Sequence, residues 1–126
     1  MAEVRVIKKG HLRLMGGMVA GGSSTVTLIR SDKNVIVDTA MSRDEDEILS
    51  VLKEEGLGSE DIDIVVNTHP HADHTGNNRL FSSAVVFDNG DDKEICLGAR
   101  MIYTPGHTKE CYSVIVKGSE DTVAIV

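Results

Sequence analysis

Tryptophan is absent from this sequence and aromatic residues make up only 3% of it. The core therefore has to be built from valine, isoleucine, leucine and methionine, and a stacking platform for nucleic-acid bases is disfavoured. Positive charge is also short: 13 Lys and Arg stand against 20 Asp and Glu, for a formal net charge of -7. That balance leaves no broad surface for neutralising phosphates and speaks against nucleic acid as a partner. No run approaches the roughly 20 apolar residues that cross a bilayer, and the start Met1-Ala2-Glu3-Val4-Arg5 lacks the apolar centre of a signal peptide. The expected setting is cytoplasmic, with no membrane partner. The two cysteines, Cys96 and Cys111, are too few for a disulfide framework and read as free thiols.

What is present suits one globular domain over residues 1–126, since 40% of the chain is hydrophobic and the charges are interspersed with apolar runs. Val4 to Ile7, Ser24 to Ile29 and Asn34 to Val37 read as meandering antiparallel strands. Between the first two lies Met15-Gly16-Gly17-Met18-Val19-Ala20-Gly21-Gly22-Ser23, which lacks the Gly-Lys-Ser/Thr ending of a phosphate loop and reads as a hairpin tip or a loop overhanging a site. Ser42 and Glu45 form a capping-box pattern ahead of Ile48, Leu49, Val51 and Leu52, so a helix with one buried stripe is expected, stopped by Gly56. The acidic stretch Arg43 to Glu47 is then its solvated first turn. Ile62 to Val66 is a β-branched run suited to a strand buried on both faces. Later strands are expected at Ala84 to Phe87, Glu94 to Leu97, Ala99 to Tyr103, Ser113 to Val116 and Thr122 to Val126, with a short helix at Asn77 to Leu80.

The chemistry is concentrated just after the buried run. Of five histidines, His69, His71 and His74 fall within six positions, with Asp73 between the last two. Residues two apart on an extended backbone point the same way, so His69 and His71 can reach one ion from the end of a strand. Asp73 and His74 follow a turn, and their different directions suit a second ion or the activation of water at the first. Imidazole nitrogen and carboxylate oxygen are the ligands zinc favours. Pro70 restricts the backbone of the segment, and Gly76 and Asn77 would let the chain turn into the next element.

His107, in Tyr103-Thr104-Pro105-Gly106-His107-Thr108, ends another apolar strand and is a further nitrogen ligand in waiting. Asp38, in Val35-Ile36-Val37-Asp38-Thr39-Ala40, either caps the following turn or orients the metal loop by hydrogen bonds. His11 has no such context and reads as structural or exposed, while Cys96 reads as a small core residue.

Three motifs in this order, Val37-Asp38-Thr39, the His-X-His-X-Asp-His block at His69 to His74 and Pro105-Gly106-His107, resemble the metallo-β-lactamase superfamily, and the resemblance spans about Asn34 to Val126. It implies an α/β fold, the αβ/βα sandwich of two mixed sheets with helices outside. It also implies that His69, His71 and His107 hold a first metal while Asp73 and His74 belong to a second. The metal implied is Zn2+, two ions in a complete domain, with iron or manganese as alternatives. The implied reaction is attack by metal-bound hydroxide on an ester, thioester, lactone, amide or phosphodiester of a small-molecule substrate, with Asp73 as the catalytic carboxylate. The family's bridging Asp and last His would fall beyond Val126, so the expectation is the first, strand-rich part of a domain truncated at its C-terminal end. The alternative is a non-catalytic metal-binding fragment or assembly module completed by a partner chain, such as a second copy pairing through the unfinished sheet edge.

Overall fold

Alternation along a few short strands decides how the layers stack. The computed structural model describes residues 2–15, 18–106, 109–118 and 121–126, and of residues 11–21 the backbone alone. In it, strand β5 (Asn34–Val37) sends Val35 and Val37 into one apolar cluster and Ile36 into another. Strand β6 (Ile64–Val66) does the same, with Ile64 and Val66 on one side and Val65 on the other. Two-residue periodicity with apolar residues at every position thus produces a sheet covered on both faces, as the sequence suggests.

The strands before β5 are β1 (Glu3–Lys8), β2 (His11–Met15), β3 (Met18–Ser23) and β4 (Val26–Arg30). Beyond β6 come β7 (Val85–Phe87), β8 (Lys93–Cys96), β9 (Ala99–Tyr103), β10 (Tyr112–Lys117) and β11 (Thr122–Ile125). One sheet has the order β1-β4-β5-β6-β7, a second has β11-β10-β9-β8, and β2 and β3 form a separate hairpin. In the first sheet β1, β4 and β5 are antiparallel, whereas β5, β6 and β7 are parallel. The second sheet is antiparallel throughout.

The cluster between the sheets joins Ile29, Val35, Val37 and Val66 to Ile95, Met101, Val114 and Val116. On the other face of the first sheet lies helix α1 (Glu45–Glu54), whose Ile48 and Leu52 are fully buried against Leu28, Ile36 and Val65. Each such side chain contributes about 1.5–3 kcal/mol by leaving water. The order of layers is helix, sheet, sheet, the first part of the αβ/βα sandwich. Among the described residues no helix is long and apolar enough to cross a membrane.

Two local expectations are revised. The glycine-rich segment is mostly strand: β3 includes Gly21 and Gly22 and pairs with β2, so β1 and β4 meet across an inserted hairpin. His11 opens β2, and its side chain lies outside the described set. The start of α1 is fastened by Asp44, not by Ser42 with Glu45. A 3-10 turn (Ser42–Asp44) precedes the helix, and the Asp44 carboxylate accepts hydrogen bonds from the Met41 N–H and the Ser23 hydroxyl. Gly56 ends the helical run with φ of +78°, the left-handed conformation in which glycine has no steric cost.

Candidate metal centre

Because β5, β6 and β7 are parallel, their C-terminal ends share one edge of the sheet, the edge from which open α/β sheets present their ligand-binding residues. Asp38 follows β5, Asn67 and Thr68 follow β6, and Asp88 follows β7. The Asp38 N–H bonds to the Val66 carbonyl at 2.7 Å, carrying the parallel pairing one residue past the strand. Asp38 and Ala40 then have φ of +62° and +58°, a conformation non-glycine residues adopt at a cost. The return is the direction of the carboxylate, which the bend aims at the start of the histidine segment.

That carboxylate is buried, 3% exposed, and fully engaged. Oδ1 accepts the Thr68 N–H at 2.8 Å, and Oδ2 accepts the Thr68 hydroxyl at 2.6 Å and His74 Nδ1 at 2.8 Å. A carboxylate only accepts, so His74 carries its proton on Nδ1 and turns its other lone pair, on Nε2, toward Asp73, whose Oδ2 lies 3.7 Å away. The Thr68 hydroxyl has one proton, already given to Asp38. Its 2.7 Å contact with His69 Nδ1 therefore makes His69 the donor, and His69 too keeps its ring lone pair on Nε2. Burial of His74 opposes a positive charge, but the hydrogen bond and charge of Asp38, with the charge of Asp73, outweigh it and raise the pKa above 6.5. A cation at Nε2 would replace the proton that this negative surrounding attracts.

Beyond Thr68 the chain bends at Pro70 and His71 and then forms a single helical turn, α2 (Ala72–Thr75), with His71 at its N-cap in an extended conformation. The rings of His69 and His74 have centroids 4.3 Å apart, and His69 and His71 are 6.4 Å apart with planes inclined by 30°. Ligand atoms of Asp38, His69 and His74 all lie within 4.8 Å of one another. Asp38 is committed to Thr68 and His74 by its hydrogen bonds, so its part in this cluster is to hold the rings. Among the described residues His69 and His74 are drawn together with Asp38, while His71 and Asp73 stand outside that group; nitrogen and oxygen donors of this kind are those a borderline metal such as zinc accepts, and their chemistry fits a metal ion. Of the residues singled out from sequence, His69, His71, Asp73 and His74 stand on one loop beside Asp38. His107 lies outside the described residues.

Sequence reasoning passed over the polar residues that fasten this loop. Asn67, Thr39 and Asn77 are 3%, 0% and 0% exposed. Gly76 and Asn77 form the turn between α2 and the following 3-10 turn, as expected, and Asn77 also fastens it: its amide donates to the Thr39 and Met41 carbonyls at 2.8 and 2.6 Å. Gly76 is required for a second reason besides turning, because a Cβ there would come within 2.4 Å of the Ala40 carbonyl oxygen. The only sequence signal was polarity directly after an apolar strand, which looks the same as an ordinary loop.

The metallo-beta-lactamase superfamily model matches residues 19–90, which is more than half of the chain. The chain belongs to the metallo-beta-lactamase superfamily. It is 30% identical over 142 aligned positions to Metallo-beta-lactamase domain-containing protein 1 of Xenopus laevis, covering 98% of this chain and 61% of that protein. To a protein of Methanocaldococcus jannaschii named probable metallo-hydrolase it is 40% identical over 98 positions, covering 66% of this chain and 46% of that one. The chain thus spans between 46% and 61% of the length of these relatives. A Thermotoga maritima crystal structure described as metallo-beta-lactamase has a TM-score of 0.85, at 21% identity, over 99% of this chain and 77% of that one, which shows the fold.

Two clefts flank the metallo-beta-lactamase loop. One, of about 330 Å³, lies against His69 and Pro70 and is walled by Asn67, Asp88 and Tyr112. The other, about 420 Å³, opens over Asp38 and His74 between Ser23 and Ile125. A cleft of about 480 Å³ among Arg5, Arg30 and Asp121 contains none of the histidines and is not part of this centre.

Proposed function

We propose that the chain carries the metal-binding part of a metal-dependent hydrolase, with His69, His71 and His107 toward a first zinc ion and Asp73 and His74 toward a second. The substrate is a small molecule with an ester, thioester, lactone, amide or phosphodiester bond. The observation that carries this reading is the fixed tautomer of His69 and His74: Thr68 and Asp38 take the Nδ1 protons and leave Nε2 as the donor atom of both rings. Zinc held there supplies Lewis acidity and brings the pKa of water toward about 7.

The remaining work falls to the chain's own groups. Asp73, partly exposed beside His74, would be the carboxylate that anchors the second ion and orients the attacking water, a role its 3.7 Å contact with His74 Nε2 supports. Asp38 holds the His74 ring in one orientation throughout. The clefts on either side of the loop give a substrate access to both histidines.

The test is elemental analysis of the purified chain beside a His71→Ala variant, followed by a panel of ester, thioester, lactone, amide and phosphodiester substrates. Near-stoichiometric zinc that is lost in the variant, with turnover of a panel member, supports the hydrolase. A folded protein without bound metal refutes it. Metal without turnover favours the second reading, a metal-binding module completed by a partner. In that reading a second copy pairs at β11, an edge strand with Thr122, Val123 and Ala124 exposed.

A further inference from the structure

His69, His71, Asp73 and His74 all lie between Asn67 and Asn78, and these two residues are bonded to each other. Asn78 Nδ2 donates to Asn67 Oδ1 at 2.7 Å, and Asn67 Nδ2 donates back to Asn78 Oδ1 at 3.2 Å. The two amides thus form a closed reciprocal pair at the neck of the loop. Two further hydrogen bonds extend the pair: the second Asn67 N–H goes to the His74 carbonyl at 3.2 Å, and Asn78 Oδ1 accepts the Thr39 hydroxyl at 2.8 Å. The Thr39 N–H adds a second donor to the His74 carbonyl at 2.9 Å.

His74 is consequently held at both ends, its ring by Asp38 and its backbone by Asn67 and Thr39. Asn67 itself is fixed to the sheet through its N–H to the Phe87 carbonyl at 2.9 Å. It is 3% exposed, so water competes little for its amide. Closing a loop at its neck removes conformational freedom that ligands would otherwise lose when a metal orders them.

We infer that the Asn67–Asn78 pair is a positioning clasp that sets the loop in its metal-binding geometry before metal arrives, an inference that rests on the metal-centre reading. Neither residue touches the metal; both act through the position of His69 and His74. The clasp makes the two amides a single unit, so removing either opens it fully.

The test titrates Co2+ into the metal-free full chain and compares wild type with Asn67→Leu, Asn78→Ala and the double variant. Readouts are the Co2+ dissociation constant, the visible Co2+ spectrum and the melting temperature of the metal-free protein. Asn78 is only partly buried, so Asn78→Ala keeps the test alive where Asn67→Leu does not fold. The expected result is a 10–100-fold weaker Co2+ affinity in each folded single variant, of the order seen for outer ligand-orienting partners, and a double variant no weaker than the singles. A lower metal-free melting temperature with unchanged Co2+ affinity and spectrum would make the pair merely structural and overturn the clasp. No Co2+ binding by wild type would overturn the metal centre and the clasp with it, so the two failures are distinguishable.

Discussion

His74 Nδ1 lies 2.8 Å from Asp38 Oδ2, and that single contact joins the end of β5 to a ring thirty-six residues later in the chain. Replacing Asp38 by Asn keeps the shape and changes the chemistry. An amide nitrogen facing His74 Nδ1 forces that nitrogen to accept, moving the ring proton to Nε2, and it also meets the Thr68 hydroxyl donor head-on. Asp38→Asn is expected to weaken zinc binding by about 10–100-fold, measured by competition with a chromophoric chelator. Unchanged zinc affinity would show that the carboxylate does not set the tautomer.

Gly76→Ala tests the approach of the loop to the β5 extension. The added methyl meets the Ala40 carbonyl oxygen at 2.4 Å and the Ser42 nitrogen at 2.8 Å, both backbone atoms that cannot rotate aside. A loss of about 1–3 kcal/mol is expected, read as a fall in melting temperature of about 3–6 °C per kcal/mol for a chain of this size. Gly106, with open space at its Cβ, is the control, and alanine there should leave the melting temperature in place.

Asp44 gives the fold an acid limit. Its partial burial acts against ionisation, but hydrogen bonds from Ser23 and Met41 and the charges of Lys8 and Arg43 outweigh that and lower its pKa below 3.8. A carboxylate whose folded pKa is depressed contributes stability that is full above the unfolded value and is lost as pH falls through the folded one. Asp44→Asn should therefore be less stable than wild type at neutral pH, with the gap closing below about pH 4. Urea midpoints across that range measure it, and a gap independent of pH would remove Asp44 from the account.

Cys96 is 3% exposed, and burial first, then the charge of Asp32, raises its thiol pKa above 9.0. Reaction needs the thiolate and access to it. Iodoacetamide at neutral pH should leave Cys96 unmodified in the native protein and label it completely in guanidinium, with peptide mass mapping as the readout. Rapid native labelling would place Cys96 outside the core between the sheets.

What could be read from sequence followed from local regularity. The runs Asn34 to Val37 and Ile62 to Val66 announced strands, the second of them covered on both faces, and the spacing of His69, His71 and His74 placed ligand types at its end. The helix stripe of Ile48 and Leu52 was equally plain. Features made by distant partners stayed hidden. Asn67 looks like a loop residue and Asn78 like part of a short helix until Thr39 and the carbonyl of His74 close around them. Gly76 is the turn residue it looks like, but the backbone of Ala40 beside it, which forbids a side chain, could not be read from sequence. The β2–β3 hairpin was hidden for another reason, since glycines in β3 erase the alternation that marks a strand.

The parallel placing of β6 between β5 and β7 also governs when the loop can take shape. Parallel neighbours need a crossover, so both pairings close long stretches of chain, and such contacts form late in folding. The carboxylate of Asp38, the clasp of Asn67 and the carbonyl of Phe87 come together only once those pairings exist. Metal added to the refolding chain would find the loop's ligands close in sequence but not yet held by Asp38 and Asn67, and would leave the folding rate as it was. Added to the native protein it would slow unfolding, so its protection is a matter of lifetime as much as of equilibrium.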